Sequence, residues 1–166
     1  MKTGSKGIAL IKEFESLHDG DEKQIGLQPK MCPAGIWTEG YGRAMRNDKG
    51  EFIKGIANKA LAYSRISIHN EAEAVKALME DLGPREQLVM QKINVSLTQN
   101  QFDALVAYFY NIGFSDTIAK LINGKFPIEQ ITTWWKSHYV TGEGNPTPLA
   151  GLVRRRTAEA NLFIQP

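Results

Sequence analysis

The sequence predicts an α+β fold: a small antiparallel β-sheet lobe, a mainly helical lobe and a cleft between them. Three observations carry this. Residues 3–18 are amphipathic with a helical period, residues 36–56 are short β-type runs punctuated by glycine, and from residue 70 onward apolar residues recur every three or four positions. The chain, 1–166, reads as a single domain, with residues 20–60 as the β lobe and residues 1–19 and 61–166 as the helical lobe. A chain of 166 residues buries enough surface to fold without disulfide staples.

In the first helix, Thr3 or Ser5 is the expected cap. Leu17, Leu10, Phe14, Ile11 and Ile8 fall on one half of the wheel; Glu15 lies inside that arc and Glu13 outside it. "DGDEKQIGLQPK" then reads as a polar loop. Residues 36–43 and 51–56 are expected strands, joined by "RNDKGE" with Gly50 as the left-handed turn residue. Asn70 and Glu73 form a capping box ahead of Val75, Leu78, Met79 and Leu82. Pro84 lacks a donor, so "GP" is expected to kink or restart that helix before Leu88, Val89 and Ile93. A second capping box, Thr98 with Gln101, opens a helix whose buried stripe is Phe102, Leu105, Val106 and Phe109, with Gly113 just past its end. "ITTWWKSHYV" is a further helix and "EGNPTPLAG" a loop. The last helix, "PLAGLVRRRTAEANLF", is expected to bury Leu149, Leu152, Val153 and Phe163.

Charge and composition exclude several functions. The net charge is +2, too small for a nucleic-acid binder. In "RRR", Arg156 falls on the apolar side of its helix and Arg155 has Glu159 four residues on, so half-buried pairing outweighs phosphate reading. The single cysteine, Cys32, makes no internal disulfide and fits a reducing compartment. No run of ~20 apolar residues exists and the start lacks a signal-peptide core, so the expected location is cytoplasmic, without membrane insertion, until release. With one Cys and no HExxH pattern, neither a metal nor a cofactor is expected, and nothing demands more than a monomer.

Glu15 is the leading candidate for chemistry. A carboxyl among apolar neighbours is desolvated and stays protonated, as a general acid requires. The competing reading is an edge carboxylate paired with Arg or Lys. Thr38, on a glycine-flanked strand in "GIWTEGYG", can hold a water, although Thr is also a common strand residue. Cys32 is either a small buried hydrophobe or a nucleophile partnered by His18, His69 or His138, and spacing selects none of these three. Trp134 and Trp135 could stack on sugars, but aromatics at helical spacing are more often core.

Four segments in order carry a resemblance: "FESL", "CPAGIWTEGYGR", "LTQNQFDALVAYFYNIG" and "GLVRRRTAEANLF". Together they resemble the phage-type lysozymes, glycoside hydrolase family 24, over roughly residues 7–163. That family shows Glu-Gly-Leu, then Asp-x-x-Gly-x-x-Thr-x-Gly-x-Gly-His, then a central helix ending in Asn-x-Gly. The resemblance implies the two-lobed lysozyme-like fold and cleavage of the β-1,4 bond between N-acetylmuramic acid and N-acetylglucosamine in bacterial peptidoglycan, by a phage or prophage endolysin. It places the catalytic Glu, Asp and Thr on Glu15, Cys32 and Thr38, and substrate binding on Arg43, Tyr41 and Asn111. Cys32 stands where most members have Asp, though some carry Cys-Pro-Ala-Gly; Ser16 replaces Gly and Arg43 replaces His. If Cys32 is dispensable, Asp19, Asp21 or Glu39 becomes the second carboxylate, and the Glu15–Cys32 connection, longer than usual, singles out Asp19 and Asp21. A lytic transglycosylase and a non-catalytic peptidoglycan-binding module are the competing functions.

Overall fold

The computed structural model describes residues 1–142, 144 and 146–166. They divide into two compact units, Glu15–Asp81 and Met1–Phe14 with Leu82–Pro166. The α+β expectation holds: a three-stranded antiparallel sheet in the order β1-β2-β3 accompanies seven helices among the described residues.

In the Glu15–Asp81 unit the strands are β1 (Lys30–Met31), β2 (Trp37–Glu39) and β3 (Arg43–Ala44). Thr38 pairs with Lys30 on one side and with Ala44 on the other. The expected strand over 36–43 is therefore two strands. Gly40 and Gly42 take φ of 58° and 90°, a region that disfavours any residue with a Cβ, and turn the chain back on itself. The expected strand over 51–56 contributes isolated bridges, Arg46 to Phe52 and Ile36 to Lys54, and Gly50 has the left-handed turn expected of it (φ 78°). β1 falls where a loop was expected; both its residues are exposed, so no alternation marks it.

Trp37, Met45, Ile53 and Ala62 form a small core here. The Trp37 ring meets Tyr63 edge-on at 6.1 Å, and its Nε1–H donates to the Gly55 carbonyl at 2.9 Å. A 3-10 turn, Ile56–Asn58, leads into α2 (Lys59–Tyr63), too short to announce itself by period. Buried Glu39 accepts from Ser67 N–H, Ser67 Oγ and Ile68 N–H, tying the end of β2 to the segment before α3.

α1 spans Ser5–Glu15 and stops short of the expected end at His18, with Ser16 at φ 59°. Its cap comes from far along the chain. The Asp103 carboxylate accepts from Gly4 N–H at 2.8 Å and Gly7 N–H at 3.0 Å, while Thr3, expected as a cap, donates both N–H and Oγ–H to Glu86. α3 (Glu71–Lys92) runs through Pro84 without restarting; buried Leu78, Leu82 and Val89 anchor it on both sides of the proline. At its start Asn70 accepts from Glu73 N–H, but Glu73 reaches back to His69 N–H rather than to Asn70, so the box is displaced by one residue. Met79, expected in the stripe, is exposed.

α4 (Gln99–Ile112) has the predicted Thr98–Gln101 box, buries Phe102 through Phe109 and ends at Gly113. α5 (Asp116–Asn123), capped by Ser115, was not anticipated. α6 covers Ile128–Ser137, ending before His138, and α7 covers Ala150–Ile164. The buried face of α7 is a correction: it is Arg155, Arg156, Glu159, Ala160, Leu162 and Phe163, whereas Leu149 and Val153 are exposed. Paired guanidinium and carboxylate groups fill the interior that apolar periodicity assigned to Leu149 and Val153. The expected loop "EGNPTPLAG" includes residues 143 and 145, which lie outside the described residues.

Candidate active site

Sheet and turn geometry in the Glu15–Asp81 unit create a pocket of about 680 Å³, lined among others by Glu15, His18, Lys30, Cys32, Thr38 and Gly42. Three of the six predicted site residues, Glu15, Cys32 and Thr38, thus face one space. Glu15 is the last residue of α1 and half-buried. A Cβ built at Gly42 would lie 3.9 Å from Glu15 Oε2, an ordinary contact, so what calls for glycine there is the φ of 90° and not crowding of the carboxyl. Cys32 sits in a tight turn: its N–H donates to Ile36 and its carbonyl accepts from Gly35 N–H, both at 2.8 Å, with Gly35 at φ 74°. The thiol occurs beside permissive backbone because the chain must reverse there to join β1 to β2. Thr38, buried at the centre of the sheet, donates its hydroxyl to the Lys30 carbonyl at 2.8 Å.

The geometry adds His18. Its Nδ1 lies 2.8 Å from Thr38 Oγ1, and its backbone N–H donates to the Gly40 carbonyl at 2.8 Å. Burial pushes its pKa below the ordinary value and the Lys30 charge pushes the same way, against a smaller upward pull from Glu15. From the sequence, His18 was one of three equivalent partners for a thiol. The usable signal was its place three residues after Glu15, obscured because α1 ends at Glu15.

The other predicted residues are engaged elsewhere. Arg43 donates to both carboxylate oxygens of Asp81 at 2.9 Å, to Glu80 at 3.1 Å and to the Ala77 carbonyl at 2.6 Å, which raises its pKa and fastens β3 to α3. Tyr41 is buried and donates to Glu71 at 3.1 Å. Asn111 belongs to the other unit, where its Oδ1 accepts from Arg156 at 2.7 Å. Asp19 accepts from Asp21 N–H and Gln28 N–H, and Asp21 from Lys23 N–H and Gln24, so both shape their own loop. Trp135 is fully buried, and Trp134 stacks on His138 at 4.2 Å. Among the described residues no group of three or more His, Cys, Asp or Glu is arranged to hold a metal ion, and no helix is long and apolar enough to cross a membrane.

The chain is similar to several known proteins along nearly its whole length. The endolysin of Acyrthosiphon pisum secondary endosymbiont phage 1 is 33% identical over 98% of this chain and 98% of its own length. Among solved structures, the endolysin from Escherichia coli O157:H7 phage FAHEc1 is 30% identical, with a TM-score of 0.71 over 99% of this chain and 94% of that one. The muramidase domain of SpmX from Asticaccaulis excentricus is 29% identical, with a TM-score of 0.72 over 99% of both chains. Residues 22–159 match the phage lysozyme family, and the chain belongs to that family.

Proposed function

We propose that this protein is a muramidase that hydrolyses the β-1,4 bond between N-acetylmuramic acid and N-acetylglucosamine in bacterial peptidoglycan, serving as a phage or prophage endolysin. One observation carries the reading: Glu15, Cys32 and Thr38, far apart in sequence, line a single pocket. Family membership and the endolysins among the relatives support it. Glu15 is the general acid that protonates the departing sugar oxygen. Cys32 and Thr38 handle the water, Thr38 through a hydroxyl fixed by the Lys30 carbonyl and Cys32 from the turn beside it. The pocket walls are partly apolar, through Met31, Pro33 and Ile36, which suits the face of a sugar ring.

Mass spectrometry of fragments released from purified peptidoglycan tests this. Wild type should release fragments with reducing muramic acid ends, and Glu15→Gln should release none while keeping the circular dichroism spectrum of wild type. Anhydro ends would instead identify a lytic transglycosylase. Undiminished release by Glu15→Gln would end the assignment of Glu15.

A further inference from the structure

We propose that His18 is the base that takes the proton from the attacking water, a role that rests on the muramidase reading. Hydrogen-bond inventory fixes the state of its ring. A threonine hydroxyl has one hydrogen, and a carbonyl only accepts, so the 2.8 Å contact from Thr38 to Lys30 O uses that hydrogen. The 2.8 Å contact between Thr38 Oγ1 and His18 Nδ1 is then a hydrogen bond only when Nδ1 carries the proton and donates it. In a neutral ring of that tautomer the lone pair is on Nε2. The Thr38 oxygen has one lone pair left, enough to accept one hydrogen of a water and so orient its second.

The charged and titratable groups around the ring are Glu15 and Lys30, and Cys32 lines the same pocket. Burial and Lys30 favour the neutral ring, and Glu15 opposes them less strongly. A neutral imidazole has a lone pair ready, so Cys32 and Thr38 place the water and His18 Nε2 receives its proton. The backbone bond from His18 to Gly40 holds the residue against the end of β2, so the ring is positioned by the sheet that carries Thr38.

The step balances. The water oxygen bonds to the anomeric carbon; the bond from that carbon to the bridging oxygen breaks, and its electron pair leaves on the oxygen. Glu15 gives that oxygen a proton, and the water gives its own to His18 Nε2. The site finishes as a carboxylate and an imidazolium, and exchange with solvent restores both.

The experiment measures the rate of reducing-end release from purified peptidoglycan between pH 4.5 and 8. His18→Asn keeps an N–H donor toward Thr38 but does not titrate. It should slow release by roughly 100- to 1,000-fold and abolish the fall in rate on the acid side. In wild type that fall lies below about pH 6.5, the ordinary histidine value, because the neutral ring is the active form. His69→Asn, at an exposed residue that does not line the pocket, should keep both rate and acid limb. Release by His18→Asn within a few-fold of wild type, or slower release with the acid limb intact, overturns the proposal. Nitrogen-15 NMR of the wild type tests it without any variant: the ring should be neutral at pH 7 with its hydrogen on Nδ1, and a hydrogen on Nε2 overturns it. The two readings fail separately. A wild type that releases no fragments sinks the muramidase, whereas a wild type matched by His18→Asn sinks only the base.

Discussion

Thr38 shows how much one hydroxyl can set. It is a donor to Lys30 and lies within bonding distance of His18, so Thr38→Val, of nearly equal volume, leaves two polar groups unmatched at once. The expected cost is about 1–3 kcal/mol in urea unfolding, with a much larger proportional loss of peptidoglycan release. Glu159 is the second informative side chain. Fully buried, it accepts from Arg156 at 2.8 Å, Arg155 at 3.2 Å and Trp135 Nε1–H at 3.2 Å. Glu159→Gln keeps the shape but removes a carboxylate charge that two buried guanidinium groups share. Loss of one partner in such a set costs about 3–5 kcal/mol, so the melting temperature should fall by roughly 10 °C for a chain of this size. An unchanged melting temperature would mean that the cluster is not held by its charge.

The ends of helices show where local rules hold and where they are replaced. α4 obeys them: Thr98, Gln101 and Gly113 are all legible, because a cap and its partner lie three residues apart. α1 does not, since its first amides are satisfied by Asp103. Gly7 makes that approach possible; a Cβ there would stand 2.8 Å from Asp103 Cβ and 2.7 Å from Thr3 Cγ2. In an exposed helix Gly→Ala stabilises by up to about 1 kcal/mol. Here Gly7→Ala should destabilise, and Asp103→Ala should cost about 1–2 kcal/mol through the lost cap. Chemical denaturation of the two variants checks both signs, and a stabilised Gly7→Ala would refute the close approach.

Across the whole chain, each unit carries a group that ties stability to pH. His18, in Glu15–Asp81, has a lowered pKa through burial and Lys30. The unfolded chain therefore binds more protons below about pH 6.5, and stability declines as pH falls through that window. Glu86, in the other unit, is pushed up by burial, but this is outweighed by hydrogen bonds from Lys2 and from Thr3 N–H and Oγ–H, which leave its pKa lowered. Its contribution is present above about pH 4.5, the ordinary carboxylate range, and is lost as pH falls through the folded value. Both effects share one sign. Melting temperature should decrease from pH 7 to pH 5 and more steeply below, and His18→Asn should flatten only the upper part of the curve. A melting temperature that rises from pH 7 to pH 5 would contradict the His18 effect, and one that stays level below about pH 4.5 would contradict the Glu86 effect.

What could be read from residue order was whatever depends on neighbours within a few positions. The stripe Phe102, Leu105, Val106 and Phe109, the Thr98–Gln101 box and the left-handed Gly50 belong to this class, whereas Glu15, Cys32 and Thr38 were grouped by resemblance to a family motif. Partnerships across long separations were not legible: Gly4 with Asp103, 99 residues apart, and His18 with Thr38, 20 apart. Neither has a periodic or capping signature, since such pairs are chosen by which surfaces the packed chain presses together. The buried face of α7 falls on both sides of this line: the Arg155–Glu159 pair, four residues apart, was legible, whereas the bond from Arg156 to Asn111, 45 residues away, was not.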